Sequence, residues 1–88
     1  MKADQTNDEE AIALGALGWT LSDDARAQRL VALTGLTPSG MRESLDDRDF
    51  LAAVLRFLEG HEPDLVGCAD ALGVTPAQLV LAREALER

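Results

Sequence analysis

The sequence predicts an all-α protein, a compact bundle of about six short helices, on three observations. Leu and Ala, the two best apolar helix formers, number 15 and 14, whereas Val and Ile together number six and Tyr is absent. No segment alternates apolar and polar residues with period two, and no hairpin dipeptide occurs. Capping residues and helix stops instead divide the chain into short helical stretches. A chain of 88 residues allows one domain. At that size about 60% of the unfolded chain's surface becomes buried, which leaves little room for a deep cleft.

Residues 1–7 are expected to form a disordered acidic tail. The run Asp8-Glu9-Glu10 then suits a helix N-terminus, where carboxylates face unpaired N–H groups and the positive end of the dipole. The first helix is predicted from about Asp8 to Trp19 or Leu21. Ser22 is expected to cap the second, with Asp23 and Asp24 in its first turn, Ala27, Leu30, Val31 and Thr34 inward, and Gly35 closing it in a left-handed conformation. Thr37-Pro38 supplies an N-cap acceptor and a ring that fixes φ at the first helical position, so a short third helix follows to about Leu45, with Met41 and Leu45 inward. Asp46 is expected to cap the fourth helix. Its Phe50, Leu51, Val54, Leu55, Phe57 and Leu58 make the clearest amphipathic pattern in the chain, ending at Gly60. Pro63 opens the fifth, with Leu65, Cys68, Ala69 and Leu72 on one face and Gly73 as its stop. Thr75-Pro76 opens the sixth, which turns Leu79, Ala82 and Leu86 inward and carries Arg83 and Arg88 near the negative end of the dipole.

Sliding the chain along itself reveals an internal correspondence. At an offset of 38 residues Gly35-Leu36-Thr37-Pro38 falls on Gly73-Val74-Thr75-Pro76, Met41 on Leu79, Leu17 on Leu55 and Trp19 on Phe57. The pattern suggests two tandem helix–helix–turn–helix units, residues 8–45 and 46–88, packed face to face about a pseudo-twofold because neither has enough apolar surface to stand alone. Convergent capping chemistry would give the same match.

Charge narrows the function. Acidic residues outnumber Lys and Arg 16 to 8, a net charge of −8 that favours solubility and repels phosphate backbones and anionic lipid. The polar, acidic start is unlike a secretory signal or transit peptide. The longest run of apolar and Gly residues, Ala11 to Trp19, falls far short of the ~20 that a membrane span needs. With Cys68 as the single cysteine, no internal disulfide forms. The expectation is a cytoplasmic protein with no membrane association.

Candidate chemistry is sparse. Leu65 to Ala82 resembles a helix-turn-helix, with small Ala69, then Gly73, then apolar Val74 and Leu79. Yet the second helix presents Thr75, Ala77, Gln78, Leu81 and Glu84, with Arg83 the only base before Arg88, so nucleic acid is disfavoured. Glu59, His61 and Glu62 lack zinc-ligand spacing. Asp46, Asp47 and Asp49 lack the glycine and distal Glu of a calcium loop and read as caps and first-turn acids. Cys68 reads as a small buried thiol. No catalytic, cofactor-binding or metal residues are assigned, no cofactor or small-molecule substrate is expected, and the chain is read as no enzyme. One surface stands out. If Leu79, Ala82 and Leu86 face inward, Ala77, Leu81 and Ala85 form a second stripe pointing away, which either packs within the chain or meets a partner helix or a second copy. A protein-interaction or self-association module is the leading expectation, and a helix-turn-helix nucleic-acid regulator the alternative.

With these residues in hand the chain resembles a family of small alphaproteobacterial proteins, domain of unknown function 3572 (DUF3572). The resemblance rests on Leu33-Thr34-Gly35-Leu36, on Phe50-Leu51-Ala52-Ala53-Val54-Leu55-Arg56-Phe57-Leu58 followed by Glu59, and on the Gly73-Val74-Thr75-Pro76 helix start. It implies a bacterial, cytoplasmic, helical protein and brings no activity or functional residues.

Overall fold

A computed structural model describes residues 8–88, so the expected acidic tail lies outside the described residues. Six helices follow in order: α1 (Asp8–Leu21), α2 (Asp24–Thr34), α3 (Pro38–Glu43), α4 (Arg48–Glu59), α5 (Glu62–Leu72) and α6 (Pro76–Leu86). There is no strand among the described residues, and the predicted class holds.

The core forms around α4, whose Phe50, Leu51, Ala52, Val54, Leu55 and Leu58 are all buried. Against them pack Ala13, Ala16 and Leu17 of α1 and Leu79, Ala82 and Leu86 of α6, so that α1, α4 and α6 touch one another as a triangle. Small side chains let the helices approach. Ala13 and Ala16 are sealed from solvent, a Cβ on Gly15 would stand 3.1 Å from Leu72, and one on Gly67 would stand 3.1 Å from the Trp19 ring. Bulk in α1 is thus matched by its absence in α5, and the reverse. Cys68 and Ala69 carry the buried face of α5.

α2 is held differently. Leu30 is its one buried side chain, and arginines supply much of the remaining attachment. The Arg26 guanidinium lies 3.7 Å over the Trp19 ring of α1 and donates to the Trp19 carbonyl at 3.0 Å, while Arg29 lies 5.4 Å over Phe57 of α4. Arg29 also donates to Asp64 of α5 at 2.8 Å. The two aromatics that correspond at the 38-residue offset therefore each receive an arginine from the same helix.

The two halves of the chain do not pack alike. α6 crosses both α1 and α4, whereas α3 sits at the rim and buries only Met41. The sequence supplies the reason. At the 38-residue offset the inward Leu79, Ala82 and Leu86 correspond to Met41, Ser44 and Arg48, so apolarity stops after one turn and the helix stops with it. Leu45, expected inward, lies beyond the end of α3 in a turn and is 38% exposed.

Two caps shift by one residue. α1 runs to Leu21, and Ser22 stays in its final turn, with its hydroxyl donating to the Trp19 carbonyl at 2.6 Å. Asp23 therefore caps α2, accepting from the Arg26 N–H at 3.0 Å. Asp47 likewise replaces Asp46 at the start of α4, its Oδ1 accepting from the N–H groups of Asp49 and Phe50. α5 begins at Glu62, so Pro63 takes its second position. Gly35 and Gly73 hold the left-handed closures expected of them, with φ of 74° and 73°.

Candidate functional site

The outer face of α6 is set by the corner that precedes it. Gly73 ends α5 with two reverse hydrogen bonds, its own N–H to the Asp70 carbonyl and the Val74 N–H to the Ala69 carbonyl, the paired closure a left-handed residue permits. Two residues later Thr75 accepts from the Gln78 N–H at 3.1 Å, and the Gln78 side chain accepts from the Thr75 N–H at 2.8 Å, a reciprocal box that fixes the first turn of α6. The result is a 95° angle between α5 and α6.

That angle drives Leu79, Ala82 and Leu86 into the core and leaves the opposite stripe outside. Leu81 is 59% exposed, Ala77 is exposed and Ala85 is half-buried. Ala77 and Leu81 therefore stand clear of the core, whereas Ala85 is partly covered within the chain. Leu81 and Ala85, with Ala82 and Gln78 beside them, meet Ile12 and Glu9 of α1 across an open groove of about 220 Å³. Ala77 does not line this groove. Ile12 went unassigned in the sequence because its partners lie more than sixty positions away. Its one signal in the sequence is its correspondence to Phe50 at the 38-residue offset.

Arg48 fixes one end of the groove. Its guanidinium donates to the Ala85 carbonyl at 2.8 Å and pairs with Glu10 at 3.2 Å, with Glu9 at 3.9 Å. It thereby ties the start of α4 to the first turn of α1 and the last turn of α6, where a cation also faces the negative end of that helix dipole. Arg83 is similarly engaged. It donates to Glu59 at 2.6 Å and to Glu87 at 2.8 Å, and Arg56 reaches Glu87 as well. The Glu59 hydrogen bond foremost raises the Arg83 pKa above its ordinary value. Arg83, the one base on α6, is therefore already paired with carboxylates of its own chain.

The other titratable candidates do not converge. Glu59 is bound to Arg83, whereas His61 is exposed at the N-cap of α5 and its side chain makes no cap bond. Among the described residues no three His, Cys, Asp or Glu side chains gather as a metal-binding group. Cys68 is wholly buried, and that burial pushes its thiol up to about 11 against a weaker opposing pull from Arg26. Such a thiol is almost entirely protonated near neutral pH and a poor nucleophile. Asp64 is the acid that pattern reading missed. It is nearly buried beside Arg29, and nothing in its local sequence distinguishes it from other first-turn acids.

The family model described as protein of unknown function (DUF3572) matches residues 6–88, nearly the whole chain. The chain belongs to the DUF3572 family. Neither curated proteins nor solved structures yield a match to it. Among the described residues no single helix is long and apolar enough to cross a membrane.

Proposed function

We propose that this DUF3572 chain is a non-enzymatic helical module that binds another protein, or a second copy of itself, through the α6 face formed by Leu81 and Ala85 with Ile12 opposite. The observation that carries the reading is the exposure of Leu81, 59%, on a helix whose other apolar face is fully used in the core. An aliphatic side chain standing beside a shallow apolar groove gains by being covered, and a helix laid along Ala77, Leu81 and Ala85 can approach closely because two of the three are small. Association through such a face is driven by removal of apolar surface from water.

The competing reading is a nucleic-acid regulator, and the 95° corner favours it, because helix-turn-helix pairs cross at roughly 90–120°. Its side chains oppose it. The exposed positions of α6 include Ala77, Gln78, Leu81 and Glu84, and Arg83 is held by two carboxylates, so phosphate neutralisation lacks cations.

Leu81→Asp separates the readings. The variant should fold as the wild type does, since the position is exposed, and should run at monomer size where wild type runs as a larger species, either pure or in extract of the cells that make it. Unchanged size for both proteins under both conditions would refute the proposal. A mobility shift of duplex DNA at low salt would favour the alternative.

A further inference from the structure

A second groove, of about 360 Å³, lies where the end of α2 meets the start of α4. Leu33, Leu36, Phe50 and Ala53 provide its apolar lining, and Asp47 and Asp49 stand at its lip. Leu33 is 61% exposed, more than any other large apolar side chain among the described residues. The neighbouring sequence is strongly acidic. Glu43, Asp46, Asp47 and Asp49 fall within seven positions, and Arg48, the single base among them, turns away to Glu9, Glu10 and the Ala85 carbonyl. No ion pair among the described residues reaches any of those four carboxylates.

We propose that this groove receives a basic amphipathic helix of a partner protein, with aliphatic side chains on Leu33 and Leu36 and Lys or Arg over the Asp47–Asp49 lip. Charge decides the occupant. A second copy brings another −8, and most of its arginines are already occupied: Arg26 by Trp19, Arg29 by Asp64, Arg48 by Glu9 and Glu10, and Arg56 and Arg83 by Glu87. Nucleic acid and anionic lipid are repelled by the same carboxylates. Helices alone make up the described fold, which offers no strand edge for an extended peptide, so an incoming segment gains most by folding as a helix on the apolar lining. The complementary field raises the association rate and selects against acidic competitors. This proposal stands apart from the α6 reading, because the two grooves share no residue.

The test is titration of the full chain with a fluorescent Leu/Lys amphipathic peptide and with its Leu/Glu counterpart, at low and high salt. The Lys peptide should bind and weaken with salt, and the Glu peptide should not bind. Leu33→Ala should weaken the Lys peptide by roughly tenfold, the effect of removing a partly covered aliphatic group. Asp49→Asn, at the lip of the groove, should also weaken it and flatten its salt dependence. Leu81→Ala should leave it unchanged. Circular dichroism verifies that each variant is folded, which exposure at Leu33 and Asp49 favours. The proposal is overturned if the Lys peptide does not bind, if the Glu peptide binds equally, or if Leu33→Ala binds as tightly as wild type, which would mark diffuse charge attraction. It is also overturned if Leu81→Ala is the variant that weakens binding, which would move the peptide to α6.

Discussion

Replacing Gly73 with Ala tests whether the corner that presents α6 depends on a left-handed residue. Gly73 has φ 73° and ψ 28°, and a Cβ there meets nothing within 4 Å, so the penalty is backbone conformation alone. An L-residue in this region costs roughly 1–2 kcal/mol, offset in part by the ~0.4–1 kcal/mol that Ala gains by restricting the unfolded chain. A net loss of about 1 kcal/mol follows, which for a domain of this size lowers Tm by about 4–8 °C. Gly60 is the internal control. It also ends a helix, but at φ −76°, and its Cβ would lie 3.5 Å from the Phe57 carbonyl, an ordinary contact. Gly60→Ala should therefore hold or raise Tm. Thermal and urea unfolding followed by circular dichroism measure both variants. Equal shifts of the same sign would refute the reasoning, because they would mean that the left-handed closure does not set the cost.

Other consequences follow from named contacts. A double-mutant cycle on Arg29→Ala and Asp64→Ala should give a coupling of about 0.5–1 kcal/mol in urea unfolding, at the upper end for a partly exposed pair, and smaller in high salt; zero coupling would remove the Arg29–Asp64 tie between α2 and α5. Cys68 should resist thiol reagents near neutral pH in the folded protein and react once the chain is unfolded in urea. Its folded-state thiol pKa of about 11 lies above the ordinary 9.0, so the stability linked to it is complete below pH 9 and is lost as pH rises through 11. Cys68→Ala should remove that alkaline component, and an identical alkaline slope in wild type and variant would contradict it.

Much of the fold was legible because its signals are local. Thr37-Pro38, Thr75-Pro76, Gly35 and Gly73 each act within one turn, and the inward stripes of α4 and α6 repeat at helical spacing. The caps expected at Ser22 and Asp46 fall instead on Asp23 and Asp47, because adjacent acids and Ser22 can all accept from a first-turn N–H, and only the end of the preceding helix decides among them. Packing was less legible. The 38-residue correspondence carried the caps but not the apolar register past Met41, and Ser44 and Arg48 are the residues that shorten α3. Of the predicted surface, Leu81 and Ala85 line a groove with Ile12, whereas Ala77 stands outside it. Arg48, Arg26 and Arg29 were invisible as organisers because arginine covers apolar rings and reaches carboxylates on distant helices without any fixed sequence spacing.

The claim that α6 is a protein-binding face is tested most directly by placing a photo-cross-linking residue at position 81 in the cells that make this chain, with the exposed Asp70 position as control. A discrete cross-linked species is expected from position 81, to a partner or to a second copy, that disappears when Ile12→Asp is added and is absent from position 70. No discrete species from position 81, or the same species from both positions, would contradict it.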